Sequence, residues 1–355
     1  VHLTIPVDIQ QMVISSTDFN SNITPTYDDH TLGSTHQIQN IVKLMQHSKS
    51  PLIILGSGAS YSNTGEAFKE LIDVTKFPIM TEGDARGLVA DTHPYNMGFF
   101  DLGLNKAAKM IKNADLAILM GRKQDLIIGY AMEPTIGEKT KIIQIDPDST
   151  MIGRNRKVDI GITGNVANIT KQITQEAKKY EWVEQEWCES LRHEHTSQQK
   201  ELTELSKSES PMHASYVHSI INKHLSDEDI LVFDGGDFCH FGRAFYKANA
   251  PKSWLYLPPS GMLGQAIPTA LVAKIAHKEN RVVAFTGDGA FGFNGMEFDT
   301  AVRHQIPIIT IMGNDSAWGI DRHIQMGVFG KTIATDLLPS RYDQIVEALG
   351  GHGEL

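Results

Sequence analysis

The residues most suited to chemistry are two short acidic clusters, GDG at 287–289 and ND at 314–315, each following an apolar run. The stretch between the two clusters is long enough for one helix and one strand, so we expect them at the ends of adjacent parallel strands. Ligands of open α/β sheets bind in the crevice at this edge. The spacing therefore predicts that Asp288 and Asp315 face the same crevice.

This pair of carboxylates predicts a metal-assisted anion site. Gly287 and Gly289 let backbone N–H groups approach an anion closely, and the helix predicted after Asp288 adds the positive end of its dipole. Carboxylate oxygens suit a hard divalent cation, whose remaining positions go to phosphate oxygens and water. A lone GDG is more often only a turn, but the matched spacing to Asp315 makes the turn interpretation much weaker here.

The elements that must position these residues form two βα series. Short apolar runs separated by helical periods indicate parallel α/β sheets. We predict a linker at 1–35, a first α/β domain at 36–175, a helical connector at 176–210 and a second, truncated α/β domain at 211–355. The predicted strands are Pro51–Leu55, Phe77–Met80, Ala114–Gly121, Lys141–Asp146, Asp229–Phe233, Arg281–Thr286 and Ile306–Met312.

The connector is a charged helical segment predicted to run from Ile173 to about Ser210. It contains His193 and His195, which at this spacing do not share a helix face. Solvated surface is therefore favoured over a metal site for these two histidines.

Composition excludes several other classes. The chain has 355 residues, 41% of them hydrophobic, and a net charge of −10. An acidic chain without basic runs is a poor nucleic-acid binder, and no stretch approaches the ~20 apolar residues of a membrane span. Its two cysteines are too few for a disulfide framework. We expect no nucleic-acid or membrane partner and a cytoplasmic location.

Both ends look cut. The opening VHLTIPVDIQ lacks Met and is predicted to be a strand, and the final helix stops where another strand is expected. We therefore expect the chain to be a piece of a longer protein.

A first glycine cluster follows the strand Pro51–Leu55. Gly56 and Gly58 begin a dinucleotide-like turn, but Tyr61 occupies the third glycine position. A tight turn that lets helix and sheet close up is favoured over a bound nucleotide. Tyr61 also disfavours an NAD-binding domain pair.

The acidic segment GDGAFGFNGMEFDTAVRHQIPIITIMGND resembles the cofactor motif of thiamine-diphosphate-dependent enzymes. The phrases DGGDF, SGMLGQAIPTALVAK and IDPDSTMIGRNRKVDIGITGN are similar to other parts of the group containing acetolactate synthases, oxalyl-CoA decarboxylases and 2-hydroxyacyl-CoA lyases. The resemblance covers essentially the whole chain. It implies a Rossmann-like middle domain and a diphosphate-binding domain, both doubly wound parallel sheets, with the family's N-terminal pyrimidine-binding domain absent.

Carried over residue by residue, the resemblance implies a thiamine diphosphate and magnesium site. Asp288, Asp315 (Asn in most relatives) and the Ala317 carbonyl would bind the metal. Leu263 would be the apolar wedge that bends the cofactor. The full set of implied cofactor-binding residues is Gly236, Asp237, Phe238, Gly261, Met262, Leu263, Gly287, Asp288, Gly289, Ala290, Asp315, Ala317, Trp318 and Gly319.

Three further points follow from the resemblance. Asp237 and Phe238 replace polar Gln and His of many relatives, so any contact of Phe238 is packing only. Packing is also favoured for the pocket-flanking Phe291, Phe293 and Trp318. FAD binding in the middle domain is in doubt because Lys123 occupies the position of an Arg in the family's FAD-binding motif. Binding of an adenine nucleotide such as ADP is left open.

The activating glutamate belongs to the absent domain, which in the family a partner subunit supplies. The chain alone is thus expected to be inactive, and the enzyme to be a homodimer or tetramer with its active site at a subunit interface.

The resemblance leaves three functions open. The first is an acetolactate synthase-like carboligase acting on 2-oxo acids. The runner-up is a 2-hydroxyacyl-CoA lyase or oxalyl-CoA decarboxylase acting on an acyl-CoA. An inactive cofactor-binding or regulatory fragment is the alternative from another class.

Overall fold

We describe the fold from a computed structural model, which describes residues 3–15, 31–61, 65–207, 210, 212–256 and 260–355. Parts of the predicted linker and connector, and residue 211, lie outside the described residues. No helix within the described ranges is long and apolar enough to cross a membrane.

The chain divides into two compact units, residues 1–30 and 31–355. In the first unit, residues 3–15 are exposed and contain the short helix α1 (Val7–Gln10). The strand predicted for the opening residues is wrong over this range. Pro6, with φ fixed at −58°, precedes the helix, and the described residues of this unit contain no strand with which it could pair.

The second unit contains two parallel sheets. The first has six strands in the order β3-β2-β1-β4-β5-β6. Its strands are β1 (Pro51–Leu55), β2 (Ile79–Thr81), β3 (Asn96–Phe99), β4 (Leu116–Met120), β5 (Lys141–Asp146) and β6 (Ile160–Thr163). Four of these match predicted strands, whereas β3 and β6 were not predicted because each is short and interrupted by glycine.

Helices cover both faces of the six-stranded sheet. One face packs against α2, α4 and α6, and the other against α5 and α7. Local capping defines several of these helices, as at α2, where Ser34 and Gln37 form a capping box. The helices are α2 (Thr35–His47), α3 (Ser57–Ser60), α4 (Glu66–Thr75), α5 (Lys106–Lys109), α6 (Val166–Ala177) and α7 (Glu186–Leu205).

The predicted connector helix from Ile173 is wrong at its start. The helix α6 ends at Ala177, whose carbonyl accepts a hydrogen bond from the Trp182 indole. A new helix, α7, begins only at Glu186. One side of α7 buries Cys188 and Leu191 against the six-stranded sheet. His193 is exposed, but His195 is partly buried against Gly98, so the solvated surface predicted for both histidines is wrong for His195.

The second sheet has four strands in the order β10-β9-β7-β8. They are β7 (Ile230–Phe233), β8 (Trp254–Tyr256), β9 (Val282–Gly287) and β10 (Ile309–Gly313). The sequence predicted three of them and missed the three-residue β8. The associated helices are α8 (Ala214–Ile221), α9 (Asp237–Phe245), α10 (Ala266–Ala276), α11 (Asp288–Asn294), α12 (Phe298–Arg303), α13 (Gly319–Phe329) and α14 (Tyr342–Ala348).

These two parallel-sheet α/β domains confirm the predicted fold class. One face of the four-stranded sheet packs against α8 and α9 through Cys239 and Tyr246. The other packs against α10 through Ala266 and Ala270. The two acidic clusters both lie at the carboxyl edge of this sheet.

Candidate cofactor site

The two acidic clusters follow neighbouring strands in matched register. In the β9–β10 pair, Gly287 lies opposite Gly313. Asp288 and Asn314 are therefore each the first residue beyond the sheet, with Asp315 one residue further. The predicted adjacency of the clusters is confirmed.

Asp288 begins α11 and is 2% exposed. Burial is the main cause that raises the pKa of this carboxyl, and the nearby Asp315 raises it further. The backbone N–H groups of Gly289 and Ala317 oppose this shift by donating to the carboxylate. The Oδ2 atom has no hydrogen-bond partner among the described residues. A buried carboxylate oxygen of this kind is costly unless a cation or donor reaches it.

Asp315 lies in a tight turn that leaves its side chain exposed. Ser316 has φ of 54°, and its N–H donates to the Asn314 side chain at 3.1 Å. Ala317 then forms an isolated antiparallel bridge with Asp336. The Ala317 N–H lies close enough to the Asp288 carboxyl to lower its pKa.

The glycines of the site allow close packing. A Cβ at Gly289 would lie 2.8 Å from the Trp318 ring, so the indole occupies the space where a side chain would be. Trp318 also makes an edge contact with Phe293, and Phe291 packs on Phe298 and Tyr342. These ring contacts agree with the packing role predicted for the aromatic residues.

A third carboxylate lies beside Asp315. A Cβ at Gly319 would lie 3.0 Å from Asp315 Oδ2 and 3.3 Å from Asp237 Oδ2. Asp237 is the first residue of α9, after Gly236 with φ of 101°. Its Oδ2 is 2.6 Å from His323 Nδ1 on α13.

Phe238 is turned away from this acidic cluster. Its ring packs against Gly313 and on the His218 ring, with centroids 4.5 Å apart. Its carbonyl accepts a hydrogen bond from His218 Nε2. Phe238 therefore contributes packing, as its apolar side chain predicts.

The loop Gly261–Leu263 is held by a residue that sequence reasoning missed. Asp234, 1% exposed, accepts hydrogen bonds from the N–H groups of Gly264 and Ala266 at 3.0 Å each. Burial raises the pKa of this carboxyl. The signal was present in the sequence, because Asp234 follows β7 directly, as Asp288 follows β9.

The same loop meets α11. Asn294 donates to the Gly264 carbonyl at 2.9 Å, and a Cβ at Gly264 would lie 3.1 Å from the Ala290 carbonyl. Leu263 is half-buried, while Met262 is 56% exposed. The structure thus assembles the loop and the two acidic turns at one edge, with Phe238 alone turned into the core.

The donor set fits a cation that is only partly ligated by protein. Within the described ranges, no three side chains among His, Cys, Asp and Glu are arranged to hold a metal. Asp288 and Asp315 are two carboxylates, so further ligands must come from backbone, water or a bound phosphate. Magnesium prefers such incomplete protein ligation.

The glycines of the first sheet have a packing explanation. Cβ atoms at Gly56 and Gly58 would lie 2.6 and 2.9 Å from the Gly121 backbone. Arg122, 2% exposed, forms two 2.7 Å hydrogen bonds with Asp125 and lies 3.4 Å from Glu82. The tight turn favoured from the sequence matches these contacts, and an adenine nucleotide at this edge stays a prediction.

Two parallel α/β sheets, the second with carboxylates beyond its strand ends, place the chain among the α/β proteins whose ligands bind at that edge. Comparison with known families agrees. The central domain of thiamine pyrophosphate enzymes matches residues 38–173, and their C-terminal TPP-binding domain matches residues 234–355. The chain therefore belongs to the thiamine pyrophosphate enzyme family.

Curated relatives fall into two groups. A probable acetolactate synthase of Mycobacterium bovis is 31% identical over 315 residues, which is 88% of this chain and 55% of the relative. The 2-hydroxyacyl-CoA lyase 2 of Caenorhabditis elegans is 30% identical over 343 residues, 94% of this chain and 52% of the relative. Human 2-hydroxyacyl-CoA lyase 1 is 28% identical, covering 91% of this chain and 58% of the relative. The chain spans little more than half the length of these relatives.

Proposed function

We propose that the chain is the middle and diphosphate-binding part of a thiamine-diphosphate- and magnesium-dependent enzyme that forms or cleaves C–C bonds next to a carbonyl. The observation that carries the proposal is the buried Oδ2 of Asp288, which has no hydrogen-bond partner among the described residues and lies beside Asp315. A magnesium–diphosphate unit would supply the cation that this pair of carboxylates lacks.

Each site residue has a role in this proposal. Asp288, Asp315 and the Ala317 carbonyl would hold magnesium, and the Gly289 and Ala290 N–H groups would bind phosphate oxygens. Leu263 would support the bent cofactor from below. When bound, thiamine diphosphate supplies a carbon nucleophile and stores the electron pair released by C–C cleavage.

Asp237 and Asp315 both add negative charge to the site. Both carboxylates lie beside Gly319, and they would repel a diphosphate unless cations neutralise them. His323 faces Asp237, which leaves Asp315 free for the metal. We expect Asp315→Asn to keep cofactor binding in an enzyme that carries the pyrimidine-binding domain. Complete loss of binding would contradict a role as a replaceable second ligand.

The exposed apolar side chains of α13 support a homo-oligomer with the active site at a subunit interface. Ile324, Met326, Val328 and Phe329 are all more than half exposed. Exposed apolar residues grouped in this way mark interaction surfaces. The cytoplasmic location stays a prediction.

The reaction we propose first is acetolactate synthase-like decarboxylation and ligation of 2-oxo acids. The names of the relatives equally support cleavage of a 2-hydroxyacyl-CoA as the second candidate. The test joins this chain to the pyrimidine-binding domain and assays acetolactate formation from pyruvate in parallel with aldehyde release from a 2-hydroxyacyl-CoA.

Turnover of pyruvate supports the first reaction, and thioester cleavage supports the second. Cofactor binding without either activity would favour the regulatory alternative. The matched control, Asp299→Asn, changes a carboxylate on α12 that pairs with Arg303 at the surface and should leave activity unchanged.

A further inference from the structure

A cavity of about 440 Å³ lies between the edge strand β3, the connector helix α7 and the C-terminal half of α9. Its volume is in the range of small-ligand pockets. It is separate from the acidic turns, none of whose residues lines it. We call it the interlayer cavity, and its charged lining residues are Arg86, Asp91, Asp101, His195, Arg243 and Lys247.

The acidic side chains of the interlayer cavity are already paired. Arg86 forms two hydrogen bonds with Asp91, at 3.0 and 2.9 Å, and donates to the carbonyls of Arg243 and Tyr246. Asp101 is 2.6 Å from His240 Nε2. The nearest partners of the two carboxylates are therefore Arg86 and His240, and the charge of Arg243 also lowers the pKa of Asp101.

Arg243 is a buried cation that forms no ion-pair contact in the described part of the chain, although its charge acts on Asp101 and Glu82. The residue is 9% exposed, and its Nε has no hydrogen bond. The guanidinium lies 4.2 Å from the centre of the Tyr256 ring and interacts with the Tyr256 hydroxyl. Stacking on an aromatic ring offsets only part of the cost of removing a cation from water.

Lys247 adds a second cation at the opening of the cavity. It is exposed and forms no ion pair among the described residues. The side chain is close enough to His195, on the opposite wall, to act on it electrostatically. Two cations without an ion-pair contact among the described residues thus line one cavity.

We propose that the interlayer cavity binds a small oxyanion, a phosphate or carboxylate, between Arg243 and Lys247. A guanidinium presents its donors in a planar fork that matches such groups. The ligand would also hold α9, the helix whose first residue, Asp237, lies at the cofactor site. Binding here does not depend on the proposed enzymatic function.

The test measures inorganic phosphate and malonate binding to the chain by calorimetry in EDTA, so that no metal recruits either anion to the acidic turns. The Asp288→Asn background provides a second safeguard. We expect Arg243→Gln to weaken binding at least tenfold. Lys247→Ala should weaken it about threefold because its charge is screened, and Lys109→Ala, an exposed lysine away from the cavity, should not.

Binding of either anion with this order of effects supports the site, and the preferred anion identifies the ligand class. Failure of both anions to bind, or equal binding by wild type and Arg243→Gln, overturns the proposal. If Arg243→Gln does not fold, Lys247→Ala against Lys109→Ala decides in the same way. Thermal stabilisation that rises with anion concentration gives an independent readout.

Discussion

In the six-stranded sheet, β1 and β4 are buried along their whole length. In the four-stranded sheet, β10 is at most partly buried, and α13 has no buried residue. Both sheets have the same parallel architecture, so the difference lies in how much of each sheet the chain itself covers. Both faces of the first sheet are covered by helices of this chain. The second sheet leaves the apolar side chains of α13 exposed and has the buried Asp288 carboxylate at the ends of its strands.

A matched pair of phenylalanine substitutions tests this contrast most strongly. Phe68 on α4 is fully buried, and Phe329 at the end of α13 is 68% exposed. We expect Phe68→Ala to lower the free energy of unfolding by about 3–5 kcal/mol through the cavity it leaves. Phe329→Ala should change it by less than about 0.5 kcal/mol. Chemical denaturation of both variants provides the comparison, and equal losses would show that α13 is packed as tightly as the first sheet.

A pH dependence of stability is expected from His218, which packs against the second sheet. Burial lowers the pKa of this imidazole to about 4. As the pH falls, His218 therefore takes up its proton in the unfolded chain before it does so in the folded chain. The free energy of unfolding decreases between about pH 6.5 and about pH 4. The loss attributable to this histidine is about 3 kcal/mol.

Urea unfolding at several pH values measures this loss. His218→Gln should remove that part of the pH dependence, and His193→Gln, at an exposed position on α7, should retain it. Identical pH profiles for wild type and His218→Gln would refute the assignment.

Two glycine substitutions test how tightly the cofactor site is packed. Gly289→Ala places a methyl group 2.8 Å from the Trp318 ring, whereas Gly292→Ala meets nothing within 4 Å. We expect the first to cost about 1–3 kcal/mol through overpacking and to alter tryptophan emission. Gly292→Ala serves as the neutral control. Unchanged emission and stability in Gly289→Ala would mean that the indole moves freely.

In both sheets the sequence predicts some strands and misses others. Long apolar runs such as Pro51–Leu55 and Val282–Gly287 predict strands because both of their faces are buried. The strands β3 and β6 each contain a glycine, and β8 has only three residues, so none of them forms a continuous apolar run in the sequence. Their existence depends on neighbours distant in sequence, as with Trp254 pairing beside Leu231.

The strand-end pattern predicted that the two acidic clusters are adjacent, but it did not predict the contacts that support them. Asp288 and Asp315 follow strands whose order the alternating pattern predicts. Two of these contacts join segments far apart in the chain. Asp234 accepts a hydrogen bond from the Gly264 N–H, and Asp237 pairs with His323. Spacing alone contains no information on which loop folds back on which helix.

The central claim is that Asp288 anchors a magnesium–diphosphate unit. Calorimetric titration of thiamine diphosphate with magnesium should give binding to the wild-type chain and to Asp299→Asn. In Asp288→Asn we predict affinity lower by at least about tenfold, or about 1.4 kcal/mol, with a reduced dependence on magnesium. Wild-type affinity in Asp288→Asn would contradict the account.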